Sequence, residues 1–356
     1  MKKIAVAMSG GLDSTYAAIK LKEQGYDIFG ITLQMFCRQH PADEPESTDQ
    51  FQEVKALCEK LGIPHMPIQA EDFFASTIIQ NFCDEYMGGR TPNPCVLCNK
   101  EMKFGLLLEE ALSRGATHIS TGHYASIEFD EETKHYLLKR GRDVTKDQSY
   151  FLWRLNQYQL AHTIFPLAEE SKEKIKEKIA QYGLKVENKP ESQEICFVPN
   201  DDYKAFLNNK FSDKIQPGDI VDVSGNVLGE HKGFPFYTIG QRKGLGISAP
   251  QPLYVLEIRS QTNEIVVGPK EKLYHKGLIA RECNWIKFEK LTETVKAKAK
   301  VRYNTTEKIC TIFPESDGIK VVFDKPQMSI TPGQSVVFYD GEYLLGGGII
   351  ERAIDQ

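Results

Sequence analysis

Ile4-Ala5-Val6-Ala7-Met8-Ser9-Gly10-Gly11-Leu12-Asp13-Ser14 is the stretch that decides how this 356-residue chain folds. Its first five residues are an unbroken apolar run, the pattern of a strand buried on both faces of a parallel sheet. Two glycines end the run, and Leu12, Tyr16 and Ile19 then recur at helical spacing. Strand, glycine turn and helix in that order offer backbone amides and a helix N-terminus to an anion, with Ser9 and Ser14 as hydroxyl donors. The Gly-Lys-Ser or Gly-Lys-Thr ending of a Walker loop is absent, so the string is a phosphate cradle of another kind. The plainer reading, a capped glycine turn, suits a lone double glycine better than this whole string.

The alternation continues downstream. Residues 27–33 read as a second strand, and Phe51, Val54, Leu57 and Leu61 mark a helix closed by Gly62 and Pro64. Strands are expected at 65–68 and 117–121, helices near 71–86 and 99–114, and a last helix carrying Ile175, Ile179 and Tyr182. Strands separated by helices build a doubly wound α/β domain with a parallel sheet, whose ligands bind beyond the carboxyl ends of the strands. The acidic, proline-bearing stretch 41–49 has no apolar periodicity and reads as a mobile loop. Past residue 205 short β-rich runs recur between glycine turns, at 220–223, 253–258, 264–267, 296–303, 320–323 and 335–339. The expected organisation is an α/β catalytic domain over 1–205, a small β-rich connector domain over 206–275 and a C-terminal β-barrel over 276–356.

With 41% hydrophobic and 26% charged residues the chain has an ordinary globular composition. A net charge of −5 excludes a generally basic surface, so an RNA partner would have to be held by local patches. Lys296, Lys298, Lys300 and Arg302 alternate along one expected strand and so share a face, which suits a phosphate track or plain solvation. No run approaches the roughly 18 apolar residues of a membrane span, and the first apolar run is too short for a secretory leader. A cytoplasmic protein is expected, whose eight cysteines are reduced rather than cross-linked.

Cys58, Cys283 and Cys310 sit in apolar patterns and read as core. Thr91-Pro92-Asn93-Pro94-Cys95-Val96-Leu97-Cys98-Asn99 is different. Its two prolines keep the segment extended, and Cys98 abuts an expected helix start, where a thiol pKa is lowered. A turn with buried thiols and a zinc half-site are the rival readings, but zinc would need two more ligands and no second Cys-x-x-Cys exists. Cys196, in Glu194-Ile195-Cys196-Phe197, reads by itself as core or as a third reactive thiol.

These motifs share one order with Thr121-Gly122-His123-Tyr124-Ala125, Lys146-Asp147-Gln148-Ser149-Tyr150-Phe151-Leu152 and Tyr237-Thr238-Ile239-Gly240-Gln241-Arg242-Lys243-Gly244-Leu245-Gly246. The first string resembles the PP-loop of the ATP pyrophosphatase superfamily. The whole set, spanning essentially the entire chain, resembles the bacterial tRNA-specific 2-thiouridylases of the MnmA type.

That resemblance implies an ATP-dependent sulfurtransferase. A wobble uridine of the tRNA anticodon loop is adenylated on its 2-oxygen and then thiolated through a cysteine persulfide, with release of AMP and pyrophosphate. It implies Ala7, Met8, Ser9, Gly10, Gly11, Leu12, Asp13 and Ser14 as the cradle for ATP, Met35 beside the adenine, and Gly122 as a further ATP contact. Cys98 matches the family nucleophile and Cys196 the persulfide carrier. Asn93, Pro94 and Cys95 match the segment that meets the target base. His123, Lys146, Asp147, Gln148, Arg302, Tyr303 and Gln334 match tRNA contacts. Mg2+ would accompany ATP, and a cysteine desulfurase or persulfide carrier protein would supply sulfur.

Cys95 departs from part of the family, which carries an aspartate there. An uncharged thiol does not replace a carboxylate as proton acceptor, and the substitution makes a trio of Cys95, Cys98 and Cys196. Such a trio admits a second reading, as ligands of a 4Fe-4S cluster with one open iron position. Other PP-loop ligases, a thiolase of another tRNA base, a nucleotide-binding RNA chaperone and an iron–sulfur carrier are the competing functions.

Overall fold

The computed structural model describes residues 2–35, 50–184 and 195–355, so the acidic stretch 41–49 lies outside it. The first unit alternates β1 Lys3–Ala7, α1 Leu12–Glu23, β2 Asp27–Gln34, α2 Gln50–Leu61 and β3 His65–Gln69. Then come α3 Glu71–Phe74 and α4 Gln80–Met87, joined by a π turn, and α5 Pro94–Cys98 and α6 Leu107–Ser113, joined by a π segment over Asn99–Leu106. β4 His118–Ser120, an antiparallel hairpin of β5 Ala125–Asp130 and β6 His135–Arg140, α7 Gln157–Ala161, β7 Thr163–Ile164 and α8 Lys172–Gln181 complete it.

Five strands form a parallel sheet in the order β3-β2-β1-β4-β7. Along β1 the side chains divide as a strand's period of two requires. Ile4 and Val6 join a core with α1, α2 and α8, while Ala5 joins another with α6 on the opposite face. The strand order reverses between β1 and β4, and at such a switch point the crevice outside the carboxyl ends receives the ligand. The cradle follows β1 and Gly122 follows β4, so both reach that crevice.

After α9 Tyr203–Phe211, a four-stranded sheet is built from β8 Gly218–Val221, β9 Val227–His231, β10 Tyr254–Arg259 and β11 Glu264–Gly268. The last unit comprises β12 Tyr274–Trp285, β13 Val295–Lys300, β14 Lys308–Glu315, β15 Gly318–Met328, β16 Ser335–Asp340 and β17 Tyr343–Ile354. Pairing of β12 with β17 closes these six strands into a barrel. Closure removes the edges that would otherwise invite other strands. No helix among the described residues is long and apolar enough to cross a membrane.

The barrel and the parallel-sheet unit share a core. β6 pairs with β17, extending the barrel sheet by the hairpin of the first unit. Buried Tyr150, Leu152 and Trp153 cluster with Val337, Tyr339 and Leu344. Trp153 Nε1 donates to Ser335 Oγ at 3.1 Å and the Tyr150 hydroxyl donates to Ser335 O at 3.0 Å. A Cβ at Gly347 would stand 2.8 Å from the Trp153 ring, so only a bare backbone admits the indole there.

The loop before β16 grips the segment leading into α5. Thr91 N donates to Pro332 O at 2.9 Å, and Gln334 Nε2 donates to the carbonyls of Thr91 and Pro92, each at 3.0 Å. Gly333 sits at φ +88°, and a Cβ there would lie 2.8 Å from both Thr91 O and a Glu85 carboxylate oxygen. Gly333→Ala therefore combines a left-handed backbone penalty with a clash, together roughly 1–3 kcal/mol. Urea unfolding should show a lowered midpoint with an unchanged slope, the mark of lost stability without lost structure.

Candidate active site: a thiol helix beside a phosphate cradle

The cradle is tight and internally bonded. Gly10 takes φ +76°, and Ser14 Oγ donates to Gly11 O at 3.0 Å while accepting from Ser9 N at 3.3 Å. Gly11 is the N-cap of α1 and no side chain caps that end, which leaves the first amides of a 12-residue helix available to an anion. A Cβ at Gly122 would meet Asp13 Cβ at 2.7 Å, so the β4 loop can lie against the cradle only because residue 122 is glycine. Asp13 accepts from the Tyr124 hydroxyl at 2.8 Å and from Lys172 Nζ at 2.9 and 2.8 Å. Lys172 was not singled out in the sequence; it offsets a carboxylate that would otherwise repel phosphate. Met35, at the end of β2, packs on the core beside the crevice.

The thiol helix starts earlier than expected. Asn93 is its N-cap and Pro94 its first residue, a position where proline loses nothing because that N–H would be unbonded anyway. Cys95 thus lies in the first turn and Cys98 one turn deeper, on the core side. The expected lowering of the Cys98 pKa does not occur. Burial pushes the Cys98 thiol up to about 12, and Cys95, though it shows an edge to solvent, is raised for the same first reason. Desolvation of a thiolate outweighs the helix terminus here.

Cys196 belongs to the same electrostatic group, since its thiol raises both of the others. It is exposed, and its neighbour Phe197 anchors it, lying edge-on to Phe74, Phe82 and Phe206 at 5.6, 5.2 and 5.7 Å. All seven described cysteines are reduced, and Cys58 and Cys310 are fully buried core as expected, while Cys283 is half-buried. Among the described residues no three His, Cys, Asp or Glu side chains are arranged to hold a metal ion. As placed, Cys95, Cys98 and Cys196 do not form such a group.

One functional residue escaped the sequence reading. Lys103 is the cation that opposes the rise at both Cys95 and Cys98, and its field also bears on His123. It stands five residues after Cys98, on the far side of a regular α-helix. The intervening π segment bonds i to i+5 and brings such a pair onto one side. His123 is buried between Phe104 and Phe165, bonded to Thr121 Oγ1 at 2.7 Å, and held neutral by burial.

Several residues expected to face tRNA are engaged inside the protein. The Asp147 carboxylate accepts from Ser149 N, Ser149 Oγ and Gly141 N at 3.0, 2.9 and 3.3 Å. Gln148 clasps Tyr124 through both its backbone N–H and its side-chain carbonyl, each at 3.1 Å. The Tyr303 ring packs against Phe151 with centroids 4.5 Å apart and planes tilted by 42°. Lys146 remains half-buried. Arg302 does not share the lysine face, because β13 ends at Lys300 and the guanidinium turns inward to Ile239 O at 3.2 Å and to Thr331. Lys296 and Lys298 do face solvent, with Ala297 and Ala299 buried between and beyond them. Asn99 Nδ2 donates to Phe151 O at 3.1 Å, and Asn93 bonds Tyr150, so the 149–152 segment seats the thiol helix.

Comparison with known proteins adds a family. The model for the tRNA methyl transferase HUP domain matches residues 2–200, that for the tRNA methyl transferase PRC-barrel domain 204–269, and that for the aminomethyltransferase beta-barrel domain 275–350. A tRNA-specific 2-thiouridylase MnmA of Halothermothrix orenii is 47% identical over 99% of both chains. One from Thermoanaerobacter sp. is 48% identical over 99% of this chain and 98% of its own. A solved U34-tRNA thiolase NcsA of Methanococcus maripaludis, with its 4Fe-4S cluster, aligns at 18% identity and a TM-score of 0.35 over 60% of this chain and 66% of that one. So slight a likeness says nothing about the chemistry here.

Removing the Lys103 charge should raise both thiol pKa values further. Lys103→Gln is expected to slow alkylation of Cys95 and Cys98 by iodoacetamide at fixed alkaline pH by roughly threefold to tenfold, the thiolate lost in half to one pKa unit. Lys103→Arg should keep the wild-type rate, and peptide mass mapping reads both sites separately.

Proposed function

This chain belongs to the family of tRNA-specific 2-thiouridylases, and from that membership we propose that it replaces the 2-oxygen of the tRNA wobble uridine with sulfur at the expense of ATP. The observation that best supports this is the gathering of Cys95, Cys98 and Cys196 into one electrostatic group, tied to an anion cradle through Lys103, His123 and Gly122. A small-metabolite ligase of the same superfamily needs the cradle but has no use for the thiols. Cytoplasmic RNA is the substrate class, with a cysteine desulfurase or a persulfide carrier protein as sulfur source.

Adenylation comes first. The target base leaves its loop stack for the pocket, a small cost for a single-stranded base. Its O2 attacks the α-phosphate of ATP and pyrophosphate departs onto the amides of Gly10, Gly11 and the α1 N-terminus. Lys172 stands beside that departing charge, and Mg2+ enters with ATP as its counter-ion.

Sulfur transfer follows. A donor converts exposed Cys196 to a persulfide, whose terminal sulfur attacks C2 and expels AMP. Cys98 then attacks the Cys196 sulfur, forming a Cys98–Cys196 disulfide and freeing the 2-thiouridine. The Cys98 proton ends on N3 of the product base, so a thiol that rests un-ionised suits this step. Reduction by an external thiol restores the enzyme. Cys95, uncharged and raised by burial, serves no proton transfer in this scheme.

Cys98→Ser and Cys196→Ser should each abolish 2-thiouridine in digests of tRNA incubated with ATP, magnesium and a persulfide source, read by nucleoside mass spectrometry. tRNA-dependent release of AMP or pyrophosphate should survive in Cys196→Ser. Thiolation persisting without Cys196 would overturn the relay, and pyrophosphate release indifferent to tRNA would overturn the RNA substrate.

A further inference from the structure

The run Tyr237-Thr238-Ile239-Gly240-Gln241-Arg242-Lys243-Gly244-Leu245-Gly246 has no part in the chemistry above, yet its loop is built to a definite shape. Gly240, Gly244 and Gly246 hold φ of +88°, +77° and +72°. The Gln241 side chain accepts from Thr238 N at 3.2 Å and donates to Lys243 O at 3.0 Å, staking the turn from within. Two backbone bonds fasten its start to β10, Gly240 N to Val255 O at 2.8 Å and Val255 N to Gln241 O at 2.9 Å. Leu245 is buried in the core of the central sheet unit and fixes the far side.

Between those anchors the loop leaves donors unmatched. Among the described residues, the amides of 242–247 reach no protein acceptor. Arg242 and Lys243 are exposed, and neither side chain has a partner among the described residues. Left-handed glycines alternating with ordinary residues form amide-lined concavities that hold anions. Here a solvent-open hollow of about 510 Å³ is lined by Arg242, Gly244, Gly246, Ile247, Pro250 and Leu253.

The loop also stands near the thiol helix. Arg302 donates to Ile239 O at 3.2 Å, and a Cβ on Gly240 would lie 2.6 Å from Ser329 Oγ, so the loop base rests on the barrel. Arg302 in turn faces Tyr86 and Tyr150, and Tyr150 bonds Asn93, the N-cap of the helix that carries Cys95 and Cys98.

We propose that the 240–253 loop is a phosphate-binding subsite that takes a backbone phosphate of the RNA strand flanking the target base. The proposal rests on the tRNA substrate inferred above and adds to it a place where the central unit holds the strand. In a chain of net charge −5, a cluster of exposed cations and amides without partners among the described residues, joined through its base to the thiol helix, is where a polyanion is gathered. Its contribution is to affinity and register, not to bond making.

The test uses the full-length protein and unmodified tRNA, with dissociation constants measured by fluorescence anisotropy across a salt series. The double variant Arg242→Ala/Lys243→Ala should bind roughly tenfold more weakly at moderate salt. Its dependence of log K on log salt should flatten by about 0.7 per cation removed. Arg242→Lys/Lys243→Arg should retain wild-type affinity, and an unchanged melting temperature in the alanine variant excludes misfolding. A wild type that binds tRNA while the alanine variant matches it in affinity and slope overturns the subsite alone. So does a variant with unchanged tRNA affinity that fails only in accepting sulfur from a donor protein, which would make the loop a protein-docking surface. A wild type that does not bind tRNA overturns the substrate reading and the subsite together.

Discussion

Two hydrogen bonds from one amide group hold the reacting helix in place. Gln334 Nε2, on the barrel loop, reaches the carbonyls of Thr91 and Pro92 just before the helix begins. Thr91 precedes Pro92 and Asn93 precedes Pro94, and a residue before proline is kept extended, so the segment cannot fold into the helix and supply its own bonds. The barrel provides the donor instead. On the other side Tyr150 and Asn99 bind the helix start and first turns to the 149–152 segment, itself buried against the barrel. A helix only five residues long before its π segment would be marginal alone, and it is ordered because two units close on it.

The same closure sets the chemistry. Packing that fixes Cys98 also desolvates it, and burial wins over the nearby Lys103 to hold the thiol near 12. At neutral pH the Cys98 thiol is then held almost wholly un-ionised. Oxidation follows the thiolate, so the resting thiol is protected, while exposed Cys196 remains open to a donor. The two thiols differ in exposure because Cys98 lies on the core side of a packed helix, whereas Cys196 sits in a surface turn.

Much of this was legible because the signals were local. The strand–glycine–helix string dictated the parallel sheet, and the period of two along β1 divided its side chains between two cores. What stayed hidden depended on distance. In β17, Gly346 admits Trp285 and Gly347 admits Trp153 against the strand, contacts no local pattern announces. The 125–140 hairpin joins a barrel strand some two hundred residues later, and no local pattern encodes that partnership. The internal bonds of Asp147 and Arg302 stayed hidden because sequence shows the residue type but not the backbone groups waiting for it. Lys103 was invisible for a simpler reason, since a spacing of five fits no regular helix face and only the π segment makes it one.

These hidden contacts share a direction. Charged and polar groups expected on an RNA-facing surface were found bonding one unit to another, as Gln334 does to Thr91 and Arg302 to Ile239. An interface between units requires its polar atoms to be satisfied as strictly as a core does, because an unmet buried donor costs about 1–3 kcal/mol. The cations left over are those with no acceptor among the described residues, among them Arg242, Lys243, Lys296 and Lys298. In a slightly acidic chain that residue of unmatched positive charge, after the internal bonds are subtracted, is what a polyanion senses. Subtracting the internal bonds first is therefore the physical step that separates an RNA-binding surface from a merely polar one.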